Sequence, residues 1–141
     1  MNERIFITGA SSGIGEALAI EYAKRGAILG LSARRTEKLN NVAKNCEDLG
    51  AKKVLVYTLD VTDEKESTNI LNEFLKDAQG IDIVIANAGV AYSDKISSGD
   101  PAQINKVIST NVIGVTNSII PFIPKMKEQQ SGKIVIISSI A

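Results

Sequence analysis

Three glycines in the pattern Gly9-x-x-x-Gly13-x-Gly15 follow the apolar run Arg4–Thr8 and open an amphipathic stretch. A turn of this kind, placed between a strand and a helix, suits the pyrophosphate of a dinucleotide. Without Cβ atoms, Gly9 makes the tight turn, Gly13 lets backbone approach phosphate, and Gly15 permits close helix–strand packing. The backbone N–H groups around Ser11, Ser12 and Ile14 would face the anion, with the helix dipole behind them. The alternative is a strand–helix turn that holds no ligand.

The same turn reads Gly9-Ala10-Ser11-Ser12-Gly13, the G-x-S-x-G pattern of a hydrolase nucleophile. A nucleophilic Ser11 needs a base, ordinarily histidine. The sequence has no histidine, so a serine hydrolase is the disfavoured reading, and no metal site is expected.

The second apolar run ends in Ser32-Ala33-Arg34-Arg35. In dinucleotide folds a residue about 20 positions beyond the glycines meets the adenosine ribose, and an acid there favours NAD. Here Ala33 and two arginines occupy that place. Guanidinium groups pair bidentately with phosphate, so Arg34 and Arg35 point to the 2′-phosphate of NADP, with NAD second. The alternative is a pair of solvated arginines at a helix start. Against it, positive charge at a helix N-terminus is unfavourable.

The elements that would position these groups follow from periodicity. Near-continuous runs rich in Ile and Val predict strands at Arg4–Thr8, Ile28–Ser32, Lys53–Leu59, Ile81–Ala86 and Lys133–Ser138, each buried on both faces. Helices are predicted at Gly13–Arg25, Thr36–Leu49, Asp63–Ala78, Pro101–Thr110 and Asn111–Glu128. Gly26, Gly50 and Gly80 stand where left-handed C-terminal caps belong. Thr36, Thr62 and Asp100-Pro101 stand at helix starts. Pro121 should kink or end the last helix. Alternation of strand and helix implies right-handed crossovers and a parallel sheet in a single α/β domain over 1–141. The polar loop Tyr92–Gly99 is expected to be mobile.

Composition narrows the partners. Sixteen basic residues balance sixteen acidic ones, which gives no push toward nucleic acid or an anionic membrane. Unbroken apolar runs are too short to cross a bilayer, and the first residues lack a signal-peptide pattern. Cys46 is the single cysteine, an incidental thiol that fits a reducing, cytoplasmic setting.

With these residues assembled, the chain resembles the classical short-chain dehydrogenase/reductase family from Arg4 to Ala141. Thr8-Gly9-Ala10-Ser11-Ser12-Gly13-Ile14-Gly15 matches its cofactor motif. Asp60-Val61 resembles its adenine contact. Asn87-Ala88-Gly89 matches its Asn-Asn-Ala-Gly element, with Ala86 in place of the first Asn. Asn111 aligns with the catalytic asparagine and Ser139 with the catalytic serine. The resemblance implies a Rossmann-like doubly wound sheet in the order 3-2-1-4-5. It also implies hydride transfer between NADP(H) and a small carbonyl/alcohol substrate, and a homo-oligomeric full-length protein. Ser139 would bond the substrate oxygen, and Asn111 would hold a water or backbone contact in the proton relay. On residue type alone, Asp60 could be a helix-start acid, Asn87 and Gly89 a turn, Asn111 an N-cap, and Ser138 and Ser139 strand-end hydroxyls.

In the family a Tyr-x-x-x-Lys pair beyond the serine delivers the proton, the lysine lowering the tyrosine pKa. Tyr22, Tyr57 and Tyr92 each lack a lysine four residues later; Tyr92 has Lys95 at three. We therefore expect a piece, or the recorded part, of a longer reductase, C-terminally incomplete. A short product that binds dinucleotide without catalysis is the other reading.

Overall fold

Strands apolar at most positions need cover on two sides, and helices on both faces of one sheet provide it for Arg4–Thr8, Ile28–Ala33 and Ile83–Ala86 but leave Lys133–Ile136, expected to be buried, exposed throughout. The computed structural model describes residues 2–91 and 96–139. Its strands are β1 (Arg4–Thr8), β2 (Ile28–Ala33), β3 (Lys53–Thr58), β4 (Ile83–Ala86) and β5 (Lys133–Ile136). All pair in parallel, in the order β3-β2-β1-β4-β5. This is the doubly wound order that the resemblance implies. Tyr92, Lys95 and Ala141 lie outside the described residues.

The period-two alternation of strands sorts the core into two layers. Ile5, Ile7, Leu29, Leu31, Ile83 and Ile85 face α1 (Gly13–Lys24) and α2 (Thr36–Asp48), meeting Ala19, Leu39 and Cys46. Phe6, Tyr57 and Val84 face the other way, toward α3 (Glu64–Ala78) and the helical run that follows. There Phe6, Phe74 and Phe122 pack edge to face, with centroids 5.3–6.2 Å apart. Gly30 makes room for this cluster: a Cβ would sit 2.6 Å from both Phe6 and Phe74.

The region after β4 departs most from the sequence reading. Instead of two helices meeting at Asn111, one continuous helical run extends from Ala102 to Gln129. It comprises α4 (Ala102–Ile108), a π turn (Ser109–Ile113), α5 (Gly114–Ile119), a 3-10 turn (Ile120–Phe122) and α6 (Ile123–Gln129). Asn111 caps nothing; it sits inside the π turn with its side chain on another segment. Pro121 produces the expected break, a 3-10 turn in place of a full stop. By length and composition this 28-residue run could also cross a membrane, which a search for unbroken apolar runs does not see. In the fold its Ile119, Phe122 and Met126 belong to the core. Ile104, Ile108, Val112 and Ile120 stay exposed, as do Ile134, Val135 and Ile136 of β5.

Smaller corrections have local causes. Asp63, not Thr62, caps α3, accepting from the N–H of Glu66. Arg35, not Thr36, occupies the cap of α2, while the Thr36 hydroxyl pairs with that of Thr58 at 2.7 Å. At the end of α3 the left-handed residue is Gln79 (φ 60°), one before Gly80. β4 begins at Ile83 rather than Ile81, β2 runs on to Ala33, β3 stops at Thr58 and β5 at Ile136.

Candidate functional site

A cleft of about 290 Å³ opens at the carboxyl ends of the strands, where parallel α/β sheets bind ligands. Four turns converge on it. The β1–α1 turn brings Gly9, Ser11 and Ser12; the end of β2 brings Ala33, Arg34 and Arg35; the end of β3 brings Leu59, Asp60 and Val61; the segment after β4 brings Asn87 through Val90. Thr110 reaches it from the helical run.

The glycines of the first turn divide the work. Gly9 has φ +63°, and a Cβ there would lie 2.9 Å from Cα of Ala88, so this turn is seated directly on the segment after β4. Gly13 also has positive φ (+58°), yet a Cβ there would meet nothing within 4 Å. Its surroundings are open space. Gly15 is buried, and a Cβ there would collide with the Gly9 carbonyl oxygen and lie 2.6 Å from Nδ2 of Asn87. Gly15 thus packs the turn against Asn87 from behind, whereas Gly13 and Ile14 are exposed at the start of α1; none of the three is among the residues lining the cleft.

Thr8 and Asn87 hold two of these turns together. The Thr8 Oγ1 accepts from the N–H groups of Asn87 and Ala88, both at 3.0 Å. In return Asn87 Nδ2 donates to the carbonyls of Thr8 (3.2 Å) and Gly9 (3.1 Å). Thr8 is almost fully buried. Its clasp role was not read from the sequence, although a hydroxyl at the last strand position, just before Gly9, was the available signal. Ala86 is buried in β4, and the clasp is complete without an asparagine there.

A second clasp fixes the π turn. Asn111 Oδ1 accepts from the Val90 N–H and its Nδ2 donates to the Val90 carbonyl, both at 2.8 Å. Asn111 thus makes a reciprocal backbone contact one residue beyond Gly89, but it does not line the cleft. Ser139 lies beyond the end of β5, is exposed, and is not among the cleft residues either.

Asp60 gives the cleft a carboxylate. The backbone N–H of Thr62 (3.0 Å) and its hydroxyl (2.7 Å) donate to Oδ1. These donors, then the positive fields of Arg34 and Lys106, hold the carboxyl below its ordinary range. Neither described tyrosine that could serve as an acid reaches the cleft. Tyr57 is buried in the core with its hydroxyl unpartnered, and burial pushes its pKa up. Tyr22 lies on α1 beneath the Arg25 guanidinium, 5.6 Å from its ring centroid.

A profile of the short chain dehydrogenase family matches residues 3–141. The chain is 35% identical over 140 residues to an uncharacterized oxidoreductase of Listeria innocua, covering 99% of this chain and 56% of that one. An alcohol dehydrogenase from the archaeon Thermococcus sibiricus, complexed with 5-hydroxy-NADP, superposes with a TM-score of 0.89 at 28% identity, over 96% of this chain and 57% of its own. An NAD+-bound xylitol dehydrogenase superposes with a TM-score of 0.93 at 25% identity, over 99% and 54%. The chain spans about half the length of the relatives it matches.

Proposed function

The chain belongs to the short chain dehydrogenase family, and on that premise we propose that the protein is an NADP-dependent oxidoreductase acting on a small carbonyl/alcohol substrate. One observation carries the cofactor choice. Arg34 and Arg35 stand in the same cleft as the glycine turn, and β2 ends in Ala33, not in an acid. The residues present fit a dinucleotide: the space around Gly13 is open, and the Thr8–Asn87 clasp keeps the turn in place.

When bound, the nicotinamide supplies or accepts hydride. The chain's own residues bind and orient. The backbone of Gly9 through Gly15, with Ser11, Ser12 and Ile14, holds the pyrophosphate. Arg34 and Arg35 hold the 2′-phosphate by charge-assisted hydrogen bonds. Asp60 and Val61 take the adenine, and Asn87, Ala88 and Gly89 complete the cradle. Ser139 donates its hydroxyl proton in a hydrogen bond to the substrate oxygen. Asn111, clasped to Val90, keeps the π turn in register with that cradle for the proton relay. The single buried thiol suits a cytoplasmic protein, and the exposed apolar residues of α4 suit a homo-oligomer.

The test is a pair of titrations. Arg34→Ala should weaken NADPH binding by about tenfold or more, the worth of a hydrogen bond to a charged group, and leave NADH binding nearly unchanged. Equal losses for both cofactors would refute the 2′-phosphate assignment. The 141-residue polypeptide is expected to bind NADPH without oxidising it against a panel of carbonyls, because neither Tyr22 nor Tyr57 lines the cleft. Clear turnover would overturn that division of roles.

A further inference from the structure

The two arginines sit in a short connection that is pinned to β3 on both sides. Before them, the Ala33 carbonyl accepts from the Leu59 N–H at 3.0 Å. After them, the hydroxyls of Thr36 and Thr58 meet at 2.7 Å. Arg34 and Arg35 alone separate the anchored residues 33 and 36, and the residues that receive them, Thr58 and Leu59, are neighbours where β3 ends. Ala33, Arg34, Arg35 and Leu59 all line the cleft.

The two pins differ in kind. The first is a backbone bond that continues the β2–β3 ladder, whose register ends at Ala33 and Thr58; it asks nothing of the side chains. The second lies beyond the ladder and depends on two hydroxyls. Arg35, at the cap position of α2, makes no side-chain capping bond; the side-chain anchor at this end runs across to β3 instead. A segment that must be ordered when its ligand arrives binds more weakly than one already in place. We propose that Thr58, acting through Thr36, is a positioning residue for the arginine pair, holding residues 34 and 35 in the conformation that receives a 2′-phosphate. The proposal rests on the NADP reading above and extends it from the groups that would touch the phosphate to the hydroxyl pair that presets them. Both threonines are exposed, so water competes for their hydroxyls and the effect is modest.

Calorimetric titration of the full chain with adenosine 2′,5′-bisphosphate and with AMP tests this. Thr58→Val keeps the shape and removes the hydroxyl; it should weaken the bisphosphate about threefold and leave AMP unchanged. Thr58→Ser restores a hydroxyl and should recover the wild-type affinity. Thr36→Val should match Thr58→Val, and the double substitution should add nothing further, because both remove the same bond. Thr58→Val weakening both ligands equally, or neither, would overturn the positioning role, as would effects of the two substitutions that simply add. If Arg34→Ala still weakens the bisphosphate selectively in that case, the NADP reading stands without it. Wild-type protein that does not distinguish the two ligands, with Arg34→Ala inert, would instead sink the NADP reading and the positioning role together.

Discussion

β1 and β4 are joined at both ends, and the two joints are built from opposite materials. At the carboxyl end, Thr8 and Asn87 bond backbone groups with neutral side chains. At the amino end, the Arg4 guanidinium grips the Asp82 carboxylate through Nε and Nη2, both at 2.9 Å, and the Arg4 N–H adds a third bond at 2.8 Å. The amino end is also closed by Gln129, whose amide bonds both backbone groups of Ile81. The difference separates binding from holding. Where charge is consumed internally, as by Arg4 and Asp82, none is left for a ligand. Where neutral groups make the joint, Arg34 and Arg35 remain facing the cleft.

The carboxyl-end joint should be the more fragile of the two. Gly15→Ala drives a Cβ into the Gly9 carbonyl, so we expect about 3 kcal/mol of destabilisation, the upper range of overpacking, together with loss of NADPH binding. A urea midpoint and an affinity both close to wild type would break the account of this turn. Thr8→Val keeps the shape but leaves the N–H groups of Asn87 and Ala88 without their acceptor. It should cost about 2 kcal/mol and also weaken NADPH. Loss of stability with unchanged affinity would show that the clasp does not position the turn.

How much of this was legible in the sequence follows the same division. The glycine turn could be read because its residues are adjacent in sequence and each has one physical reason to be glycine. The strand order followed from the resemblance, and the parallel sheet from alternation. What failed depended on partners far along the chain. Ile81 is apolar and predicts a strand start; in the fold Gln129, 48 positions away, takes its backbone groups in place of a strand partner. Asparagine caps helices, so Asn111 predicts a break between two of them; in the fold its amide is spent on Val90, 21 positions back, and the helix runs through it. Thr36 lost its cap role to Thr58 in the same way. Short apolar runs carry their own signal, but a polar side chain's role is set by the partner it finds.

The amino-end joint should hold the fold without touching function. Asp82→Asn removes the ion pair with Arg4, whose side chains are 20% and 29% exposed, and should cost about 1.5 kcal/mol with no change in NADPH affinity. A loss of affinity would erase the contrast between the two ends. The pH dependence gives a sharper form. The hydrogen bonds from Arg4 hold the Asp82 carboxyl below its ordinary range, so the folded value is depressed relative to the unfolded one. That contribution is complete above the unfolded value of about 4 and is lost as pH falls through the lowered folded value. Wild-type urea stability should therefore drop toward that of Asp82→Asn as acid is added, and the two curves should meet. Curves that stay parallel would remove Asp82 as the source.

The smallest expected effect compares the lowered carboxyl at each end. Asp82 owes its shift first to a side chain, Arg4, whereas Asp60 owes its shift first to a backbone N–H, that of Thr62, and only then to the Thr62 hydroxyl. A side-chain substitution can abolish the first cause and not the second. Arg4→Met removes that first cause and leaves only the N–H of residue 4 as a donor, so Asp82 should rise most of the way to the ordinary carboxylate range. Thr62→Val, which keeps the N–H, should raise Asp60 only partway, with a stability change within about 0.5 kcal/mol, as for most exposed positions. Carboxyl carbon chemical shifts followed through an acid titration would read both. Full return of Asp60 in Thr62→Val would mean that its charge depends on a replaceable hydroxyl. A partial return would mean that the turn itself keeps a carboxylate in the cleft, which makes the surrounding cations necessary for any phosphate that binds there.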